Sequence, residues 1–73
     1  MKIINHYPSA VETIIVKEIE KKVIVENQCY SLTGRKTKTY IKTYELENVP
    51  TDIGVKIREE ILRLEEEEKN NES

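Results

Sequence analysis

The pattern of apolar positions changes period at Pro50. Before it, apolar and polar residues alternate in runs dense in Cβ-branched side chains; after it, apolar positions recur at helical spacing. The run Thr13-Ile14-Ile15-Val16-Lys17-Glu18-Ile19 suits a pleated sheet, because branched side chains lose χ1 freedom in a helix, and it predicts a strand over about residues 12–19. A competing signal sits at its start. Ser9-Ala10-Val11-Glu12 matches a helical capping box, and Val11, Ile14, Ile15 and Ile19 could share a helical face, so a helical first element, giving α-β-β-α, is the alternative. A second strand follows over about 22–32, after a tight turn at Glu20-Lys21. Gly34 then supplies the positive φ a hairpin turn needs, and a third strand runs over about 36–46.

Alternation across this second hairpin assigns faces. Val23, Val25, Asn27 and Cys29 are expected beside Thr39, Ile41 and Thr43, and this uncharged face is the core candidate. Ile24, Glu26, Gln28 and Tyr30 are expected beside Lys38, Tyr40, Lys42 and Tyr44, on a solvated or partner-facing surface where Glu26 can approach Lys42. A one-residue slip would invert this split.

A helix is predicted over about residues 52–68, which Thr51 or Asp52 can cap, with an acidic residue in its first turn. Ile53, Ile57, Ile61 and Leu64 fall within one arc and should pack on the sheet. Val55 and Leu62 fall on nearly the opposite side and are the candidate oligomer interface. Glu65 to Glu68 oppose the macrodipole and repel one another, and beyond them a frayed end is expected, with residues 70–73 a disordered tail to a single domain over 1–69. The fold class is thus α+β: a three-stranded antiparallel meander followed by one C-terminal helix.

Length sharpens this picture. A chain of 73 residues has a marginal core and needs a staple: disulfides, a metal or oligomerisation. Cys29 is the only cysteine, so an intrachain disulfide and a cysteine-based zinc site are excluded, and a homodimer or larger oligomer is the expectation. The lone thiol suits a reducing compartment, and no long apolar run follows the basic amino terminus, so neither a signal peptide nor a membrane span is expected and the cytoplasm is the default.

Charge divides the chain. The net charge is -2, but residues 1–50 carry eight Lys and Arg against six acidic residues, whereas residues 51–73 carry four against eight. The basic part is concentrated in a tyrosine-bearing segment, from which Arg35, Lys36, Lys38, Tyr40, Lys42 and Tyr44 are the candidate partner-binding residues. A nucleic acid could place phosphates on Arg35, Lys36, Lys38 and Lys42 and stack a base on Tyr40 or Tyr44. Tyrosine and arginine are equally the anchors of protein interfaces, and the acidic overall balance does not favour nucleic acid.

Chemistry is scarce. His6, beside Tyr7-Pro8 in an expected loop, has no orienting partner for general base work; Cys29 has no adjacent histidine or cationic run to make it a nucleophile; Glu59 and Glu60 are helix neighbours that do not face each other across a cleft; and isolated Gly34 and Gly54 build no phosphate loop. No catalytic, cofactor or metal site is expected, and the chain is read as a non-enzyme. What remains is a small interaction protein, a regulator or inhibitor of a host protein. Ile, Lys, Glu and Asn make up half the chain, a bias frequent in low-GC genomes and their phages, and the narrower expectation is a phage protein with an anti-defence role. The alternatives are a nucleic-acid-binding module on the Arg35–Lys42 ribbon and a sponge for a phosphorylated small molecule at a subunit interface.

Overall fold

The computed structural model describes residues 1–71, with side chains described through Lys69. Four strands, β1 (Lys2–Tyr7), β2 (Ala10–Lys17), β3 (Lys22–Tyr30) and β4 (Lys36–Glu45), form one antiparallel sheet in the order β1-β2-β3-β4. A short 3₁₀ turn, Leu46–Asn48, leads to the helix α1 (Thr51–Asn71). The α+β class holds, but the sheet has four strands rather than three. The additional strand is β1, where a short apolar pair, Ile3-Ile4, runs into Asn5-His6-Tyr7-Pro8 and gives little alternation to read. His6 accordingly lies in a strand, not a loop. Pro8-Ser9 makes a two-residue turn that closes on the Tyr7↔Ala10 pair.

The helical alternative for residues 9–21 is overturned. Ala10 to Ile15 pair on both sides, with β1 and with β3, so β2 is an inner strand and its branched side chains fill both faces of a sheet. The turn after it spans Glu18 to Lys21, wider than Glu20-Lys21 alone: the Lys21 amide donates to the Glu18 carbonyl at 3.3 Å, and Lys21 takes a φ of 55°.

One face of the sheet meets α1. Ile3, Ile14, Val16, Val23 and Val25 pack with Ile53 and Ile57 of the helix, and Met1, Tyr44, Leu46 and Val49 close the margin. The helical stripe is half right. Ile53 and Ile57 are buried, but Ile61 and Leu64 are 40 % and 43 % exposed, because a helix of 21 residues, about 31 Å long, outruns a sheet only four strands wide. α1 also runs three residues beyond the expected end at Glu68. Of the predicted tail, Asn70 and Asn71 lie in α1, and Glu72 and Ser73 lie outside the described residues.

The expected pairing of faces is inverted in β4. At the loop, Tyr30 pairs with Lys36, even with even as predicted, but a β-bulge opposite Cys29 gives β4 one extra residue, and from Gln28↔Thr39 onward odd meets even. Val23 therefore sits opposite Tyr44, Val25 opposite Lys42 and Asn27 opposite Tyr40. Val23 and Val25 lie on the core face as expected. Their neighbours there are Tyr44, Lys42 and Tyr40, whereas Thr39, Ile41 and Thr43 lie on the far face beside Gln28, Glu26 and Ile24. Glu26 faces Ile41 and does not pair with Lys42.

The far face has no helix upon it. Its rows, read across the four strands, are Lys2-Ile15-Ile24-Thr43, Ile4-Thr13-Glu26-Ile41 and His6-Val11-Gln28-Thr39.

Candidate interaction surface

Because the helix begins beside β3 and β4 and crosses toward β1, it leaves one end of the core face open. The opening is a groove of about 490 Å³. Ala10, Asn27, Cys29, Tyr40, Lys42 and Tyr44 line it from the sheet, with Glu12 and Val25 at its base and Pro50, Asp52 and Ile53 at the start of α1. Tyr40 is 53 % exposed and Tyr44 is half-buried against the core, so one ring presents a free edge while the other forms wall. The sign of charge is mixed: Lys42 shares the groove with Asp52 and Glu12.

A polar network fixes the helix over this groove. Glu12 is buried on the core face, where a lone carboxylate would be costly. Lys56 of α1 answers it, Nζ to Oε1 at 2.7 Å, and Asn5 Nδ2 donates to the same oxygen at 3.1 Å. The Lys56 ammonium also donates to the Tyr7 hydroxyl at 3.2 Å and lies 5.7 Å from the centre of that ring. The hydrogen bond that Lys56 donates to Glu12 outweighs burial and holds the Lys56 pKa above its ordinary value. Sequence reasoning used Glu12 only as a capping-box residue. A single acidic residue at an inward position of a strand was the available signal, since such a group demands a cation.

The predicted basic segment is split by the bulge. Tyr40, Lys42 and Tyr44 come together in the groove, whereas Arg35, Lys36 and Lys38 stay at the β3-β4 tip and first rungs of β4. Among the described residues none of Arg35, Lys36, Lys38 and Lys42 enters an ion pair; the pairs present are Lys17–Glu20, Lys22–Glu45, Lys56–Glu12 and those of Arg63 with Glu60 and Glu67. The tip itself is rigidly hydrogen-bonded. Gly34, at φ 83°, donates to the Ser31 carbonyl at 2.9 Å; the Ser31 amide donates to Arg35 at 2.8 Å; and the Ser31 and Thr33 hydroxyls meet at 2.9 Å, leaving Leu32 fully exposed at the apex. Beside it, the Gln28 side chain spans the bulge: its amide nitrogen donates to the carbonyls of Cys29 and Lys38, and its oxygen accepts from Thr39.

Val55 and Leu62, the expected oligomer interface, are 48 % and 57 % exposed on α1, and Leu62 borders a shallow trough with Leu46, Val49 and Ile61. Among the described residues no three His, Cys, Asp or Glu side chains converge to hold a metal, and no helix is long and apolar enough to cross a membrane. No family model, curated protein sequence or solved structure matches this chain.

Proposed function

We propose that this chain is a small non-enzymatic interaction protein, a regulator or inhibitor that acts by binding another protein through the groove beneath Tyr40, Lys42 and Tyr44. The observation that carries the reading is the composition of the groove. It is open, floored by small side chains at Ala10 and Cys29, walled by two tyrosines, and lined by both signs of charge. Tyrosine rings that offer an apolar body and a polar tip are the preferred anchors of protein interfaces, while Asp52, in the same groove as Lys42, would repel a phosphate backbone. Size and the Ile-Lys-Glu-Asn bias support the narrower reading of a phage-encoded accessory factor, with a bacterial defence protein of the host cytoplasm as the target class proposed.

A second reading rests on the unpaired cations of Arg35, Lys36 and Lys38, which suit nucleic acid or a phosphorylated small molecule. The two readings part in one experiment. The tagged chain is used to capture partners from host lysate in parallel with its Tyr40→Ala and Lys36→Ala/Lys38→Ala variants, at low and high salt. A stoichiometric protein partner lost with Tyr40→Ala, at about tenfold or more in affinity, supports the groove. Retention with Tyr40→Ala, together with steeply salt-dependent nucleic acid binding or a nucleotide-induced shift in melting that requires Lys36 and Lys38, overturns it.

A further inference from the structure

The far face of the sheet is the largest surface that the fold leaves unexplained. An antiparallel sheet with one solvated side usually alternates apolar-in and polar-out. Here the outward positions include Ile4, Val11, Ile15, Ile24 and Ile41, with Ile4 50 % and Ile41 63 % exposed, while α1 packs on the opposite side. The core beneath the helix holds only seven buried apolar side chains among the described residues. A chain this small gains most by burying a second layer.

We infer that the far face is covered by the same face of a second copy, packed sheet on sheet about a two-fold axis that lies between the sheets and runs along the strands. The register selects this axis. It sets β1 of one copy over β4 of the other and β2 over β3, row on row. The central row, Ile4-Thr13-Glu26-Ile41, then meets its own reverse: Ile4 faces Ile41 of the second copy, and Thr13 faces Glu26. In the row nearer the amino end, Ile15 faces Ile24. Glu26, the acidic side chain of that row, thereby meets a hydroxyl donor, which offsets part of the hydration it loses. A two-fold axis across the strands would instead bring Glu26 against Glu26, two like charges in a buried layer. Aligned sandwiches keep such rows opposed because their strand directions stay within about 30°.

The area approaches the lower bound for a specific interface. Four strands about 4.8 Å apart and seven residues of about 3.3 Å rise give roughly 450 Å² of flat area per copy, hence roughly 900 Å² for the pair before side-chain relief is counted, close to the ~1,000 Å² that marks a specific interface. This contact replaces the smaller one expected at Val55 and Leu62, which are separated along the outside of α1. It also leaves the groove free, so it is independent of the proposed function.

Sedimentation of the full chain tests the association: a particle of twice the 8.6 kDa chain mass is expected, with Ile41→Lys weakening it at least tenfold and Val55→Glu/Leu62→Glu leaving it intact. Cross-linking tests the axis. In chains carrying Cys29→Ser, Ile4→Cys and Ile41→Cys are made separately and treated, alone and mixed, with a short bis-maleimide that spans the roughly 10 Å between packed sheets, a gap too wide for a disulfide. In the proposed dimer two copies of the same position lie over opposite edge strands, roughly 14 Å apart across the sheet by strand spacing, beyond that linker. The mixture is expected to form a cross-linked pair that neither variant forms alone. A monomeric wild type, a dimer broken by Val55→Glu/Leu62→Glu rather than Ile41→Lys, or efficient linkage of Ile4→Cys to itself overturns the inference. Tyr40→Ala should leave the dimer unchanged, which separates its failure from that of the groove.

Discussion

Three residues show how local chemistry is settled by context. Lys21 closes the β2-β3 turn in the left-handed region, at φ 55°, where a side chain with a Cβ is strained. Lys21→Gly is expected to gain about 0.5 kcal/mol, seen as a melting temperature roughly 3 °C higher, and Lys21→Val to lose more than that. Glu12 and Lys56 are the reverse case, a costly group made tolerable by its partner. Lys56→Met keeps the apolar stem but strands a buried carboxylate, and should cost about 2 kcal/mol in denaturant unfolding at neutral pH. The pH dependence has a defined sign. The folded pKa of Lys56 lies above its ordinary 10.5, so the stability that the pair contributes is fully present below that value and is lost as pH rises through the raised folded value. The gap between wild type and Lys56→Met should therefore be flat through neutrality and narrow in strong alkali.

At the scale of elements, what was legible followed from periodicity. The strand character of Thr13–Lys17, the Gly34 turn and the helix after Pro50 all rest on side-chain chemistry that acts within a few residues, whereas Glu18 and Ile19, expected in the same strand, lie in the turn. β1 was not legible because six residues ending in His6-Tyr7 carry too few alternating apolar positions; its place in the sheet comes from pairing with β2. The face of β4 was misread for a similar reason. A bulge is one unpaired residue, and nothing local in Thr37-Lys38 announces it; the side chain that satisfies its carbonyls, Gln28, belongs to the neighbouring strand. Hence the sequence named the six candidate binding residues as one segment, and their division into Tyr40, Lys42 and Tyr44 in the groove and Arg35, Lys36 and Lys38 at the tip was not legible. The helical stripe failed at Ile61 and Leu64 because periodicity reports which side of a helix is apolar, not how far the sheet extends beneath it.

The whole molecule is a thin two-layer body, 46 × 29 × 19 Å, lengthened by the overhang of α1. In the proposed dimer, with the helix on one side and the second copy on the other, each position of β4 answers to a different neighbour: Tyr40, Lys42 and Tyr44 to the groove, Thr39, Ile41 and Thr43 to the second copy. The bulge has a consequence for how the chain tolerates changes of length. Both flanking pairs, Tyr30↔Lys36 and Gln28↔Thr39, are in register, and between them β4 holds two residues against one. Deleting Thr37 completes the ladder and moves no face, so circular dichroism and melting of that deletion should stay close to wild type. Deleting Thr43, in the regular part of the same strand, drags Tyr44 to the wrong side and should abolish cooperative melting. The middle of a strand is ordinarily closed to insertions and deletions; here it contains one position at which the chain can change its length without changing its faces.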